Sequence, residues 1–313
     1  MRQITATPIL TDEEAAALAG TKLDRHAYNL LLEDDADVDN KDGAPLMRFR
    51  RNVIPMPEAR AAYNGLLEAA TTTDNRGIAG GKLDPTEVGN LARSAGYFHG
   101  ATQINPTRYR FKKKDGAYSS TTRAALVNSG IVGFFDRSSR HPYCRMTAFT
   151  GAHFNQFTKA HPVIKRVNDL YAELLPEHYA RQQAAVQATS ADFVIKDTVF
   201  TTVTVNKNFQ TAVHVDRGDF KAGFGNLVVL RAGHYKGGYF VLPRYGIAVD
   251  LNNCDVLLVD VHQWHGNTPL LQSSAAPATR LSLVMYYREN MGKCGNAKEE
   301  LARAQERTPK YAK

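Results

Sequence analysis

The sequence has no apolar run that approaches the roughly 18 residues needed to cross a bilayer, and Met1–Gly20 carries no apolar core of the secretory-signal kind. A cytoplasmic protein with no membrane partner is the expectation. Cysteine is scarce: Cys144, Cys254 and Cys294 form an odd, scattered set without zinc-ligand spacing. That suits a reducing compartment and predicts free thiols. Neither an internal repeat nor a long low-complexity linker interrupts the chain. What is present is the composition of a globular protein, 313 residues with 43% hydrophobic and 22% charged, enough for one elaborated domain or two modest ones with a large core. A net charge of +8 and a pI near 9.3 favour a polyanionic partner such as nucleic acid.

Along the chain, Thr11 and Glu14 form a capping-box pattern ahead of an alanine-rich helix that Gly20 stops. The acidic run Glu33–Asp42 reads as a solvated loop. Arg48, Arg50 and Arg51 cluster around Phe49, and a helix is predicted from Pro57 to Ala70. The turn-forming stretch Thr71–Gly81 reads as a mobile loop, more simply an inert surface than a lid. In INPTRYRFKKK, from Ile104 to Lys114, Arg108, Arg110, Lys112, Lys113 and Lys114 interleave with Tyr109 and Phe111. This is either a DNA contact, with cations on phosphates and rings on bases, or a solvated hairpin. Val163, Val167, Leu170, Leu174 and Leu175 give one helical stripe within His161–Thr189, which Pro176 kinks or splits.

After Ala191 the pattern changes to short strands: Val199–Val205, Ala212–Val215, Leu227–Leu230, Tyr239–Leu242, Ile247–Asp250, Val256–Val261, a piece near His265, and Leu281–Tyr287. Eight strands without intervening helices predict a jelly-roll double sheet, an α+β protein rather than a parallel α/β one. The expected division is an N-terminal extension over 1–139 holding the basic segment, a core over 140–290, and a helical tail over 291–313.

His214 and Asp216 sit two residues apart in QTAVHVDRGDF, so an imidazole and a carboxylate project from one strand face. A second imidazole would complete the two-histidine, one-carboxylate triad that leaves positions on Fe(II) open. DVHQWHGNTP offers His262 or His265. Arg280 then opens the strand RLSLVMYYR, where a rigid guanidinium fork suits a carboxylate ligand beside a metal. Asn206 and Asn208 suit either a turn or contact with base edges or co-substrate. Arg217 and Asp219 are candidates to orient the ligands, and Tyr239 is a candidate to line the pocket or pack in the core.

The run TTVTVNKNFQTAVHVDRGD, with WHGNTP and the arginine strand after it, resembles the TET/JBP family of Fe(II)- and 2-oxoglutarate-dependent dioxygenases, which oxidise the 5-methyl group of pyrimidines in DNA. CRMTAFT, Cys144–Thr150, is similar to the segment preceding the catalytic core in JBP-like members. The resemblance covers Arg140–Glu289 and implies a double-stranded β-helix with ligands on its second and seventh strands. It implies His214, Asp216 and His265 on iron, His265 rather than His262 because it matches the family's His-Gly-Asn pattern, with Gly266 letting backbone approach the metal. It implies Arg280 on the distal carboxylate of 2-oxoglutarate, with dioxygen as oxidant. A methyl C–H has no useful acidity, so a redox cofactor rather than acid–base machinery must do this work. The activity expected first is conversion of 5-methylcytosine in DNA to 5-hydroxymethylcytosine. Thymine hydroxylation to 5-hydroxymethyluracil is the close alternative, and the same iron chemistry on a protein or metabolite a further one. The intact set of His214, Asp216, His265 and Arg280 argues against a catalytically dead DNA-binding module. A monomer with the target base flipped into its pocket completes the expectation.

Overall fold

The computed structural model describes residues 1–94, 101–113, 115–120, 122–272 and 276–307. Two sheets face each other. In the larger, Val256–Val259, Gly225–Ala232, Thr279–Tyr286 and Thr202–Lys207 lie side by side and antiparallel. In the smaller, Gly266–Asn267, Phe240–Leu242 and Ile247–Val249 do the same. The chain alternates between the sheets, the winding of a double-stranded β-helix, and helices flank the core.

Strand alternation builds two cores on the larger sheet. Val228, Leu230, Leu281, Leu283 and Met285 turn outward to a helical layer, while Leu227 and Val229 turn inward to meet Phe240, Leu242 and Val249. Both faces are covered, so Gly225–Ala232 reads as a nearly continuous apolar run. The covering helix His161–Leu174 presents Val163, Ile164, Val167 and Tyr171, all fully buried. Pro176 splits rather than kinks this segment: Leu175 leaves the helical region, and a second helix, Pro176–Gln187, starts with the proline at its first turn. The helix Met56–Leu66 adds Ala59, Ala62 and Leu66 to the same layer.

Three expectations are corrected. The acidic run Glu33–Asp42 is not a solvated loop: Ala36–Asn40 is a strand paired with Arg2–Ala6 and Pro45–Arg50. Ala36 and Val38 are buried, while on the opposite face Asp37 accepts from Arg50 at 2.7 Å and Asp39 forms an ion pair with Arg48 at 2.8 Å. Together with Leu30–Leu32, which extends the smaller sheet, these strands tie the N-terminal part into the sandwich.

Ala212–Val215 is extended but is not a regular strand. His214 and His265 form an isolated bridge, and the backbone N–H groups of Ala212 and Val213 go to the Ala79 and Thr21 carbonyls. Finally, Cys144 and Cys294 are not free thiols but form a disulfide across 150 residues. Only Cys254 is free, and it is buried.

The capping box at Thr11 is present, with Asp12–Ala17 as its helix. The basic stretch forms a hairpin of Ala101–Asn105 with Arg108–Phe111. Only Phe111 of its second strand is buried, Lys113 is exposed, and Lys114 lies outside the described residues.

Candidate metal and co-substrate site

His214 and His265 face each other through a closed pair of backbone hydrogen bonds, each N–H donating to the other's carbonyl at 2.9 Å. That pairing brings two imidazoles, with ring centroids 4.3 Å apart, against Asp216. One ligand atom from each of the three residues falls within 4.8 Å of the others. Asp216 Oδ1 is 3.6 Å from His214 Nε2, and Oδ2 is 3.7 Å from His265 Nε2.

Both Nδ1 atoms are fixed as donors, His214 to the Ala212 carbonyl at 2.8 Å and His265 to the Gln263 carbonyl at 2.9 Å. The Nε2 lone pairs are therefore left facing Asp216, the tautomer a metal requires. Burial, reinforced by the neighbouring His214, lowers His265 to about 4 and keeps it neutral. Two imidazole nitrogens, one carboxylate and open space beyond them fit Fe(II) with free positions.

His262 stays outside this group. Its Nδ1 is 3.0 Å from Asp260 Oδ1, and that hydrogen bond raises its pKa. Gly266 lies against the segment that leads into His214. A Cβ there would sit 3.2–3.3 Å from the backbone of Thr211, Ala212 and Val213, so the residue permits close approach of two chain segments.

Arg280 enters from the opposite wall. Alternation along Thr279–Tyr286 sends Leu281, Leu283 and Met285 to the helices and Arg280, Ser282, Val284 and Tyr286 into the cavity. Arg280 is 4% exposed and its Nε has no hydrogen-bond partner. A buried cation with an orphaned donor calls for an anionic partner, and the carboxylate of a small molecule in the cavity would fit it. Asn208 holds the strand in place: left-handed at φ 48°, it accepts from Arg280 N–H at 2.7 Å and donates its own N–H to the Arg280 carbonyl at 2.9 Å. Asn208 thus has the turn role, while Asn206 lines the cavity and is bonded to Ser129.

The cavity measures about 460 Å³, within the range of small-molecule sites. The stretch 71–81 is not an inert surface loop, because Asn75, Arg76, Ile78 and Ala79 form one wall of the cavity. Arg76, which the sequence does not single out, donates Nη2 to the Gly130 carbonyl at 2.9 Å, and burial lowers its pKa. Arg288, also unsuspected, donates Nε and Nη2 to buried Asp136 at 2.9 and 3.3 Å and lies over the Phe135 ring. Its even-numbered place on the Arg280 face was the available signal. Arg217 and Asp219 both line the cavity, and burial followed by the charge of Asp216 raises the Asp219 carboxyl well above the usual range. Tyr239 instead packs edge-on against Tyr28, and its neighbour Phe240 stacks on His265.

Comparison with known proteins points to one family. Residues 130–289 match the Tet_JBP family, the oxygenase domain of the 2OGFeDO superfamily. Thymine dioxygenase JBP1 of Trypanosoma brucei brucei is 42% identical over 170 residues, 53% of this chain and 20% of that protein. JBP1-B of Trypanosoma cruzi is 34% identical over 246 residues, 76% and 28% of the two chains. The bifunctional helicase and thymine dioxygenase JBP2 of Leishmania major is 36% identical over 167 residues, 52% and 15%. The chain thus spans only 15–28% of the length of these relatives. A solved structure of NgTET1 in complex with 5mC DNA shares the fold with a TM-score of 0.55 at 14% identity, covering 88% of this chain and 86% of that one. The chain belongs to the Tet_JBP family, the oxygenase domain of the Fe(II)- and 2-oxoglutarate-dependent superfamily.

Proposed function

We propose that this protein hydroxylates the 5-methyl group of thymine in DNA, giving 5-hydroxymethyluracil. His214, Asp216 and His265 hold Fe(II), and Arg280 holds the distal carboxylate of 2-oxoglutarate. The observation that carries the choice of base is the 42% identity to a protein named as a thymine dioxygenase. This reverses the order that the sequence alone suggests, in which 5-methylcytosine comes first. The likeness to a structure holding 5mC DNA is at 14% identity and speaks for the fold, not for the base.

Bound iron and 2-oxoglutarate supply the oxidising power for a C–H bond that no acid or base could activate. The protein's own residues do the rest. Arg280 fixes the co-substrate from one end of the cavity, and the carbonyl-bonded Nδ1 atoms hold the imidazoles in their ligating tautomer. The walls of the two sheets exclude water. A base stacked in a duplex cannot reach a cavity between two sheets, so the thymine is extruded from the helix, at a few kcal/mol of lost stacking and pairing. Phosphate contacts from the basic hairpin, Arg108–Phe111 with Lys112 and Lys113, offset that loss.

The test is nucleoside mass spectrometry of duplexes containing thymine, 5-methylcytosine, or both, incubated with protein, Fe(II) and 2-oxoglutarate. The expected product is 5-hydroxymethyluracil with matching succinate; 5-hydroxymethylcytosine alone would reinstate the other base. A fluorescent base analogue opposite the target should brighten on binding. Full activity without that signal would contradict extrusion.

A further inference from the structure

Arg280 and Tyr286 lie on the same face of one strand, six residues and therefore about 20 Å apart. The candidate metal group lines the same cavity. If Arg280 holds the co-substrate, the Tyr286 end is where the substrate enters. Besides Arg280, three guanidinium groups line the cavity, those of Arg76, Arg217 and Arg288. Arg288 has its fork filled by Asp136, and Arg217 is exposed. Arg76 is different: it is half-buried, and its one hydrogen bond among the described residues is from Nη2 to the Gly130 carbonyl. It lines the same cavity as Tyr286 and the metal-group carboxylate Asp216. The remaining N–H donors of this side chain are available to a molecule in the cavity.

A guanidinium donates and never accepts. Next to its methyl-bearing carbon, thymine carries the O4 acceptor, where 5-methylcytosine carries the N4–H₂ donor. A donor-only group facing that position bonds the first base and is left unpaired by the second. We propose that Arg76 is the specificity-determining residue of this pocket, donating to O4 of the extruded thymine and disfavouring 5-methylcytosine. This rests on the reading of thymine in DNA as the substrate.

Gly77 and Gly81, at φ +50° and +94°, let the loop turn so that Arg76 sits in the wall rather than in solvent. Hydrogen bonds from Arg108 to the Asp74 carbonyl and from Tyr109 to the Leu83 carbonyl tie the same loop to the basic hairpin. The residue proposed to read the base is thus carried by a segment braced against the one proposed to hold phosphates.

The experiment crosses two protein variants with substrate analogues. Duplexes carry thymine, 5-methylcytosine, or difluorotoluene, which keeps the shape and methyl group of thymine but lacks its good acceptors. Wild-type protein should hydroxylate thymine on the order of tenfold or more faster than the difluorotoluene isostere. Arg76→Ala should lose that factor on thymine and little on the isostere. Arg76→Gln, which presents an acceptor beside a donor, should narrow the thymine preference over 5-methylcytosine. Binding of the same duplexes without iron, followed by anisotropy, should show the same pattern.

Equal losses on thymine and isostere with a raised KM for 2-oxoglutarate would mean that Arg76 holds the co-substrate. Equal losses with an unchanged KM would mean that it only supports the loop. Either result overturns the proposal. Failure of the thymine reading itself would appear in the wild-type protein, as turnover of another substrate but not of thymine-containing DNA.

Discussion

His214, Asp216 and His265 are the side chains on which turnover should depend absolutely. Alanine at any of them should abolish product and weaken iron binding in a titration, with the circular dichroism spectrum unchanged because the site is open rather than structural. His262→Ala should retain activity; loss there with survival of His265→Ala would exchange their roles. Arg280→Lys replaces a two-pronged clamp by a point charge. It should raise the KM for 2-oxoglutarate roughly 10–100-fold, and an unchanged KM would move the co-substrate elsewhere. His214, Asp216 and Arg280 are legible in the sequence because the information is local, a two-residue spacing and a charge at a strand mouth, whereas only the family resemblance singles out His265 over His262. Arg76 is not legible, because its place depends on a loop far upstream folding over the cavity, and nothing near it in sequence marks that contact.

At the scale of elements, the C-terminal segment is strapped to the core in two ways. The Cys144–Cys294 disulfide closes 150 residues. Buried Glu300 accepts from Arg137 and from the N–H groups of Cys144 and Gly295. Reduction, or Cys294→Ser, should lower the unfolding free energy by about 2–5 kcal/mol, read from denaturant melts; coincident melts with and without reductant would contradict the strap.

Burial alone would raise Glu300, but its hydrogen bonds with Arg137 and the two N–H groups outweigh that and bring it down from 4.5 to about 2. A depressed folded-state pKa stabilises above the unfolded value, so this contribution should be full above pH 4.5 and lost as pH falls to about 2. Glu300→Gln should remove that part of the acid dependence, measured as melting temperature against pH.

The pairing of Cys144 with Cys294 was hidden in the sequence because proximity across 150 residues is set only by the fold. The strand Ala36–Asn40 was hidden differently. Its alternation of Ala36 and Val38 with aspartates is visible, but the meaning of the aspartates depends on Arg48 and Arg50 in the next strand. Most of the strand succession was legible because each strand is short, apolar and bounded by turn residues. Ala212–Val215 departs from regularity because its backbone partners are loops rather than a neighbouring strand.

For the whole molecule, the charge of +8 and the basic hairpin predict DNA affinity that falls steeply with salt. Neutralising both Lys112 and Lys113 should reduce the slope of log K against log salt by about 1–2. An unchanged slope would place the phosphate contacts on another face. The central claim joins iron chemistry, co-substrate and DNA in one reaction, and its most direct measurement is turnover under isotopically heavy dioxygen. Thymine-containing duplex, Fe(II), 2-oxoglutarate and protein should yield 5-hydroxymethyluracil and succinate in equal amounts, each carrying heavy oxygen from the same gas. Succinate formed without any oxidised base in the DNA, or an oxidised base whose new oxygen never comes from dioxygen, would contradict it.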